Sequence, residues 1–473
     1  MSYTHLYKIL VPNAPPHRRT EKDAPPSPQT GARMRAESLL RTAALPGLQQ
    51  PRLVSSYAGS LDRILFTFPA YAVNDAALAS AYRSLIAALR PGTRFIVLHH
   101  KPDKATVESW FSAANHPPTN LTLIALPDYV GFTDWAEDAY VALSDAADSS
   151  TYLMEPWEFS RAADALIAES VQDYSDITAS QAPLVFQGGN CLIGSDFWLL
   201  GKDYFADSVA LVQADSPLTV PPDVKPEAFV RQLFANYVDS GRRLITPGTK
   251  RAIPIAPFYG TVENGAYFLD MAVDGAGTFQ PIFHIDMFIT LIGVNASGSF
   301  DVLVGSPAMA DTLLGTNSPY ALNPVYDDFA KQLAAEGFTV HRNPLVHRPT
   351  LGESFTIKEL RDHGQQPGNE TLLDALKRLT TAGATDNSSV TVRTWHHITW
   401  NNCLVENSTV VGKHVYLPTF GHGSNADLQP LDAHMQALWE QLGFSVHLLG
   451  DFNAFASRQG VVHCIKKYLN RGE

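Results

Sequence analysis

Cysteine is scarce in this chain: 473 residues carry three thiols, at positions 191, 403 and 464. An odd, scattered set cannot frame a disulfide-stapled fold or supply a four-thiolate zinc site, so the thiols are expected to be free. Long apolar runs are missing too. No stretch of about 18 apolar residues is available to cross a bilayer. The N-terminus, MSYTHLYKILVPNAPPHRRTEKDAPP, is broken by prolines too early for a signal peptide. The expectation is a chain of the cytoplasm with no membrane partner. Clusters of Lys and Arg are absent as well, and 35 basic against 47 acidic residues leave a formal charge of -12. That balance argues against nucleic acid, which needs concentrated positive charge, and is compatible with a cationic substrate. No HExxH spacing and no paired cysteines suggest a metal centre.

What is present is enough apolar material, 45% of residues, for one large core or two ordinary ones. Residues from about 11 to 52 are rich in Pro, Arg and small polar side chains with no sustained period. Residues 1–59 are therefore expected to form an arm or linker, and 60–473 a single domain. From Ser60 onward, short apolar runs (RILFTF, RFIVLHH, LTLIAL) alternate with helical patterns (ALASAYRSLIAAL, ATVESWFSAA), the texture of an α/β protein. A helix closed by glycine and followed at once by a strand recurs: DDFAKQLAAEGF into TVHR, LDAHMQALWEQLGF into SVHLL, and more loosely VRQLFANYVDSGRRLI. Repeated α/β modules are expected.

Four segments carry chemistry. Cys464 stands in GVVHC near the C-terminus, where a thiol is a poor core filler because chain ends fray, and this makes it the candidate nucleophile. Cys191 and Cys403 read as small core residues. FTDWAEDAY places Asp134, Glu137 and Asp138 around Trp135, a set able to hold a planar cation or simply to form a solvated acidic turn. FQGGNCLIG offers close backbone approach at Gly188 and Gly189 and a donor and acceptor at Asn190, or else an ordinary strand-edge turn. FHIDMFITLIG holds His284 and Asp286 two residues apart in an apolar run. In a strand that spacing puts both on one face, where an ionisable pair is costly unless it is used or paired. Two carboxylates, a histidine and a thiol together suit attack on the central carbon of a guanidinium: carboxylates grip the cation, thiolate adds, and histidine moves the protons.

The order WxxD, GGN, HxD, HC resembles the guanidino-modifying enzymes of the pentein superfamily. VVGKHVYLPTFG and DFNAFASRQGVVHC are most similar to stretches of protein-arginine deiminases, and agmatine deiminases share the same four-part plan. The resemblance implies a five-bladed, pseudo-symmetric α/β propeller of ββαβ modules. It implies that Asp138 and Asp286 bind the guanidinium, that His284 is the general acid and base, and that Cys464 is the nucleophile. Trp135 would wall the pocket, and Gly188, Gly189 and Asn190 would line it. No cofactor is implied, and with Glu137, Ala139 and Val141 at the places of calcium-binding acids, calcium activation is not expected. Gln187 stands where many members carry Glu beside the paired glycines. The leading expectation is hydrolysis of peptidyl-arginine to citrulline and ammonia, with Arg161 at the pocket mouth to meet the flanking substrate. Alternatives are a deiminase of a small guanidine such as agmatine or free arginine, an amidinotransferase, a non-catalytic guanidino-ligand binding protein, and a metal-dependent hydrolase using His284, Asp286 and His463. The oligomeric state is not legible.

Overall fold

The computed structural model describes residues 48–157, 159, 161, 163–214, 220–253, 258–272, 279–318, 322–364 and 370–473. Its strands fall into five sheets, and every sheet repeats one arrangement: an antiparallel pair, with a third strand added parallel to the second. Short turns suit the antiparallel pair, whereas a parallel third strand needs a longer crossover, filled here mostly by helix. Sheet II pairs Val141–Asp145, Thr151–Glu155 and Ile177–Gln181 in this way, and sheet III pairs Cys191–Ile193, Phe197–Leu200 and Arg243–Ile245. Sheet IV does so with Ile289–Val294, Phe300–Ser306 and Thr339–Thr356, and sheet V with Leu404–Ser408, Gly412–Thr419 and Ser445–Asp451. Sheet I closes the chain on itself. Its antiparallel pair joins Ser60–Phe68 to the last strand, Lys466–Gly472, and Arg94–His100 and Leu121–Leu126 follow in parallel. The fold is therefore mixed α/β and modular, and the strand after Cys464 is tied to the start of the domain.

The modules arise where the sequence signals them. Helix Ala76–Ala88 begins at Asp75, whose side chain accepts from the backbone N–H groups of Ala77 and Leu78, a cap worth about 1 kcal/mol. The helices Asn323–Ala335 and Gln429–Gln441 give way to the left-handed glycines Gly337 (φ 97°) and Gly443 (φ 84°), and each is followed at once by its sheet's third strand. Phe66, Phe68, Tyr82, Phe95, Trp110 and Phe111 stack behind sheet I as one aromatic block. Truncating one such ring to alanine costs about 3–5 kcal/mol.

Two features differ from the sequence reading. Pro51–Leu53 pairs antiparallel with Val141–Asp145, and Leu53 and Tyr57 are buried. Packed chain thus begins before Ser60, because the alternation in PRL lets an edge strand form within a Pro-rich stretch. The remainder of the expected arm, residues 1–47, lies outside the described residues. Sheet IV is also enlarged to six strands by Phe258–Glu263, Ala266–Ala272 and Ser389–Thr399. With the helices Ile357–Gly364 and Glu370–Thr381 these carry a satellite core around Leu269, Leu360, Leu376 and Val392. Among the described residues no helix is long and apolar enough to cross a membrane.

Candidate functional site

Each chemistry-bearing segment occupies the same station in its module, the turn just ahead of the sheet's first strand. Asp138 precedes Val141, Gly188–Asn190 precedes Cys191, His284–Met287 precedes Ile289, Asn402 precedes Leu404, and His463–Cys464 precedes Lys466. A chain of hydrogen bonds links these five turns and closes on itself. Gly188 N donates to Asp138 O at 3.1 Å, and Ile285 N donates to the Asn190 side-chain oxygen at 2.9 Å. The Asn402 amide reaches Asp286 O at 3.4 Å and Cys464 Sγ at 3.3 Å. Glu137 N then donates to Cys464 O at 3.1 Å, returning to the first turn. Asp138, Asn190, His284, Asp286, Asn402 and Cys464 are all buried, so polar groups that would be costly in isolation satisfy one another.

His284 and Asp286 are not inside the strand, as their apolar setting suggested. His284 is extended, Ile285–Met287 is a single 3₁₀ turn, and the strand starts at Ile289. The turn is held by Asn190, whose oxygen also receives the Gln280 side chain at 3.2 Å. Gly188 and Gly189 stand at close approaches within the protein: a Cβ at the first would collide with Glu137 O, and at the second with the His284 ring. His284 Nε2 donates to Gln187 Oε1 at 2.7 Å with the Tyr204 hydroxyl at 3.5 Å, while its Nδ1 faces Asp138 Oδ1 at 3.6 Å. Both ring nitrogens thus face oxygen, an arrangement that can carry a proton in either direction.

Around the thiol, Asp286 Oδ2 lies 3.7 Å from Cys464 Sγ and also receives His463 Nδ1 at 2.8 Å. Burial, with the field of Lys466, pulls His463 down to about 4 against the pull of Asp286, so this ring is neutral at neutral pH. Asn402 clamps the loop, its side-chain oxygen accepting from Val461 N and Cys464 N and its carbonyl from His463 N. Gln459, in the same loop, is held at φ 63°, a left-handed value that ordinary side chains avoid. The other two thiols fit the core reading, since burial pushes Cys191 and Cys403 up to about 12.

The three carboxylates of the acidic cluster face different partners. Asp134 meets the Tyr71 hydroxyl at 2.8 Å and Arg458 at 3.2 Å; burial raises its pKa and Arg458 opposes the rise. Glu137 receives Lys466 and Lys467, each at 2.8 Å. Asp138 receives Arg161 at 3.0 Å, and Arg161 also binds Asp164 at 2.6 Å. Arg161 is therefore nearly buried, its guanidinium held by two buried carboxylates. Trp135 packs its ring on Gly460 and Phe455, backing the Cys464 loop. Sequence reasoning passed over Asn402 and the two lysines. Neither carries a motif: Asn402 belongs to an ordinary Asn-Asn pair, and the lysines stand in the short run IKKY after Cys464. No three or more His, Cys, Asp or Glu side chains among the described residues are placed to hold a metal ion.

No family model matches the sequence, and no curated protein matches it. Solved structures do match. A structural-genomics target named for agmatine deiminase superposes with a TM-score of 0.52 at 13% identity, over 90% of this chain and 97% of its own. The Campylobacter jejuni agmatine deiminase gives 0.50 at 9% identity, over 89% and 97%. The Enterococcus faecalis agmatine deiminase gives 0.50 at 12% identity, over 89% and 96%. Identities this low speak to architecture, and the chain has the fold of the agmatine deiminases.

Proposed function

We propose that this protein is a hydrolase of guanidino groups acting on a small guanidine of the agmatine class. The observation that carries the reading is the closed ring of turns that sets Asp286 3.7 Å from the Cys464 thiol, with Asp138 and His284 on the adjoining turns. In the reaction, Asp138 and Asp286 accept N–H groups of the substrate guanidinium. Cys464 Sγ, as the thiolate, bonds to the central carbon; the C–N bond to one terminal nitrogen breaks, and His284, protonated at the outset, gives that nitrogen its proton so that ammonia leaves. Water then loses a proton to His284 and adds to the same carbon. The S–C bond breaks, and the ureido product departs with the thiol restored.

Two observations favour a small substrate over the peptidyl-arginine expected from the sequence. Cys464 and Asp286 are buried, whereas a peptide needs an open cleft. Arg161, expected to meet the flanks of a longer substrate, instead rests on Asp138; that contact also gives Asp138 a guanidinium partner in the resting protein. The likeness to agmatine deiminases supports the same choice. We further read the five sheets as the blades of a pseudo-symmetric propeller with the site at its centre, supported by the equivalent stations of the five turns. The test is ammonia and ureido product measured from agmatine, free arginine and a blocked arginine peptide side by side. Turnover of agmatine or arginine alone is expected. Turnover of the blocked peptide alone would replace this reading with a peptidyl deiminase.

A further inference from the structure

The mechanism above leaves a buried group of charges unused. Lys466 and Lys467 follow Cys464 by two and three residues, and both turn onto one carboxylate, Glu137, at 2.8 Å each. All three are buried. Lys467 Nζ also donates to Glu137 O at 3.3 Å and lies where a Cβ on Gly188 would strike it, so this ammonium sits between the first two turns of the ring. Lys466 Nζ stands over the Tyr468 ring at 3.6 Å, and Lys467 Nζ faces Tyr140 at 6.0 Å. Two ammoniums on one carboxylate leave a positive charge in the interior. A salt-bridge role alone would need one lysine, and burying the second is expensive.

The thiol has a matching need. Asp286, 3.7 Å from Cys464 Sγ, disfavours a thiolate beside it. His463, the neighbouring ring, is neutral at neutral pH and donates an Nδ1–H hydrogen bond to that same carboxylate. Gln187 supplies the His284 side with no charge. Asn402 donates one neutral hydrogen bond to the sulfur. Lys466 and Lys467 supply positive charge from the strand that leaves Cys464, with both ammoniums held on Glu137.

We propose that the Lys466–Glu137–Lys467 cluster tunes Cys464, holding net positive charge at the start of the strand that follows the thiol so that it ionises beside Asp286. The field of the cluster reaches the neighbours of the site: Lys466 and Lys467 both depress His463, and at Cys191 Lys467 opposes the rise that burial causes while Glu137 adds to it. Lys466 is itself pulled down to about 8 by burial, against Glu137, so the cluster sheds charge as pH rises past that point. Arg471, on the same strand, adds to the positive field at Lys466.

This inference rests on Cys464 being the nucleophile, and its test reads the thiol rather than turnover. The thiolate absorbance of the full chain is titrated against pH, with the Cys464→Ala spectrum subtracted, for the parent, Lys466→Met, Lys467→Met, Lys467→Arg and Glu137→Gln. Removing either lysine charge is expected to raise the Cys464 midpoint by about half a unit or more, and Glu137→Gln to lower it by a similar amount. Lys467→Arg, which keeps the charge, is expected to stay near the parent. Opposite signs from lysine and glutamate changes are what charge predicts and what loosened packing does not. Unmoved midpoints, or shifts of one sign in all variants, would overturn the proposal; if Lys466→Met does not fold, Lys467→Met against Glu137→Gln decides it. Agmatine turnover is measured in parallel. Opposed shifts in a parent that turns over no guanidine would leave the tuning intact and reject the proposed activity, and turnover with unmoved midpoints would do the reverse.

Discussion

The two halves of the site are built differently. Around His284 the contacts are between side chains: Gln187 at 2.7 Å, Tyr204 at 3.5 Å and Asp138 at 3.6 Å, with Arg161 behind the last. Around Cys464 they are anchored in backbone: Asn402 ties Val461, His463 and Cys464, Glu137 N holds the Cys464 carbonyl, and the next strand runs into sheet I. The first half can be retuned by changing the charge of one side chain that touches the ring. In the second the groups that touch the loop fix a geometry, and charge acts on it only from behind, through Lys466, Lys467 and Glu137. A nucleophile must be held to a fraction of an ångström, whereas a proton carrier needs the right affinity more than one rigid pose.

Four substitutions probe that contrast, in order of expected effect. Cys464→Ala removes the bond-forming atom and is expected to lower guanidine hydrolysis by about four orders of magnitude or more in a kcat assay. Asp286→Asn keeps the shape but takes charge from the substrate seat and from His463; kcat/KM for agmatine is expected to fall about a hundredfold or more. Residual activity close to the parent would remove Asp286 from the seat.

The third is a stability effect. His463 titrates near 6.5 when unfolded and is depressed to about 4 in the fold. Between those values the unfolded chain binds more protons, so stability is undiminished above the upper value and declines as pH falls toward the lower one. The full loss corresponds to about 3 kcal/mol. Replacing His463 with Asn is expected to flatten the fall in Tm across that window, measured by calorimetry at several pH values. The smallest effect is at Gln187→Glu. A carboxylate on His284 Nε2 favours the protonated ring and is expected to move the histidine-dependent limb of the pH–rate profile upward by about one unit. The thiolate midpoint of Cys464 should barely move. A large shift there would show that the two halves are not separable.

Much of this architecture was legible in the chain. Runs such as RFIVLHH and the glycine-stopped helices at Gly337 and Gly443 reported strands and modules directly, because period and cap chemistry are local. The site was legible as four motifs in order. Their common station, each before the first strand of a sheet, was not, since it depends on which strands pair. FHIDMF was read as a strand interior because its apolar residues are continuous; the 3₁₀ turn is imposed by Asn190, some ninety-five positions away in sequence. Asp134, Glu137 and Asp138 looked like one cluster, but successive residues in a tight turn point in different directions and meet Arg458, the two lysines and Arg161 separately. Asn402 carries no motif at all. Only the fold brings it to the sulfur.

The central claim is that Cys464 forms a bond to the carbon of a small guanidine. It is tested most directly by quenching the full chain in acid during agmatine turnover and locating added mass by peptide-resolved mass spectrometry. The account predicts a transient adduct on the Cys464 peptide, absent from the peptides of Cys191 and Cys403 and from Cys464→Ala, with ammonia released in equal amount to ureido product. Turnover that persists in Cys464→Ala, or agmatine left intact with Cys464 unmodified, would contradict it.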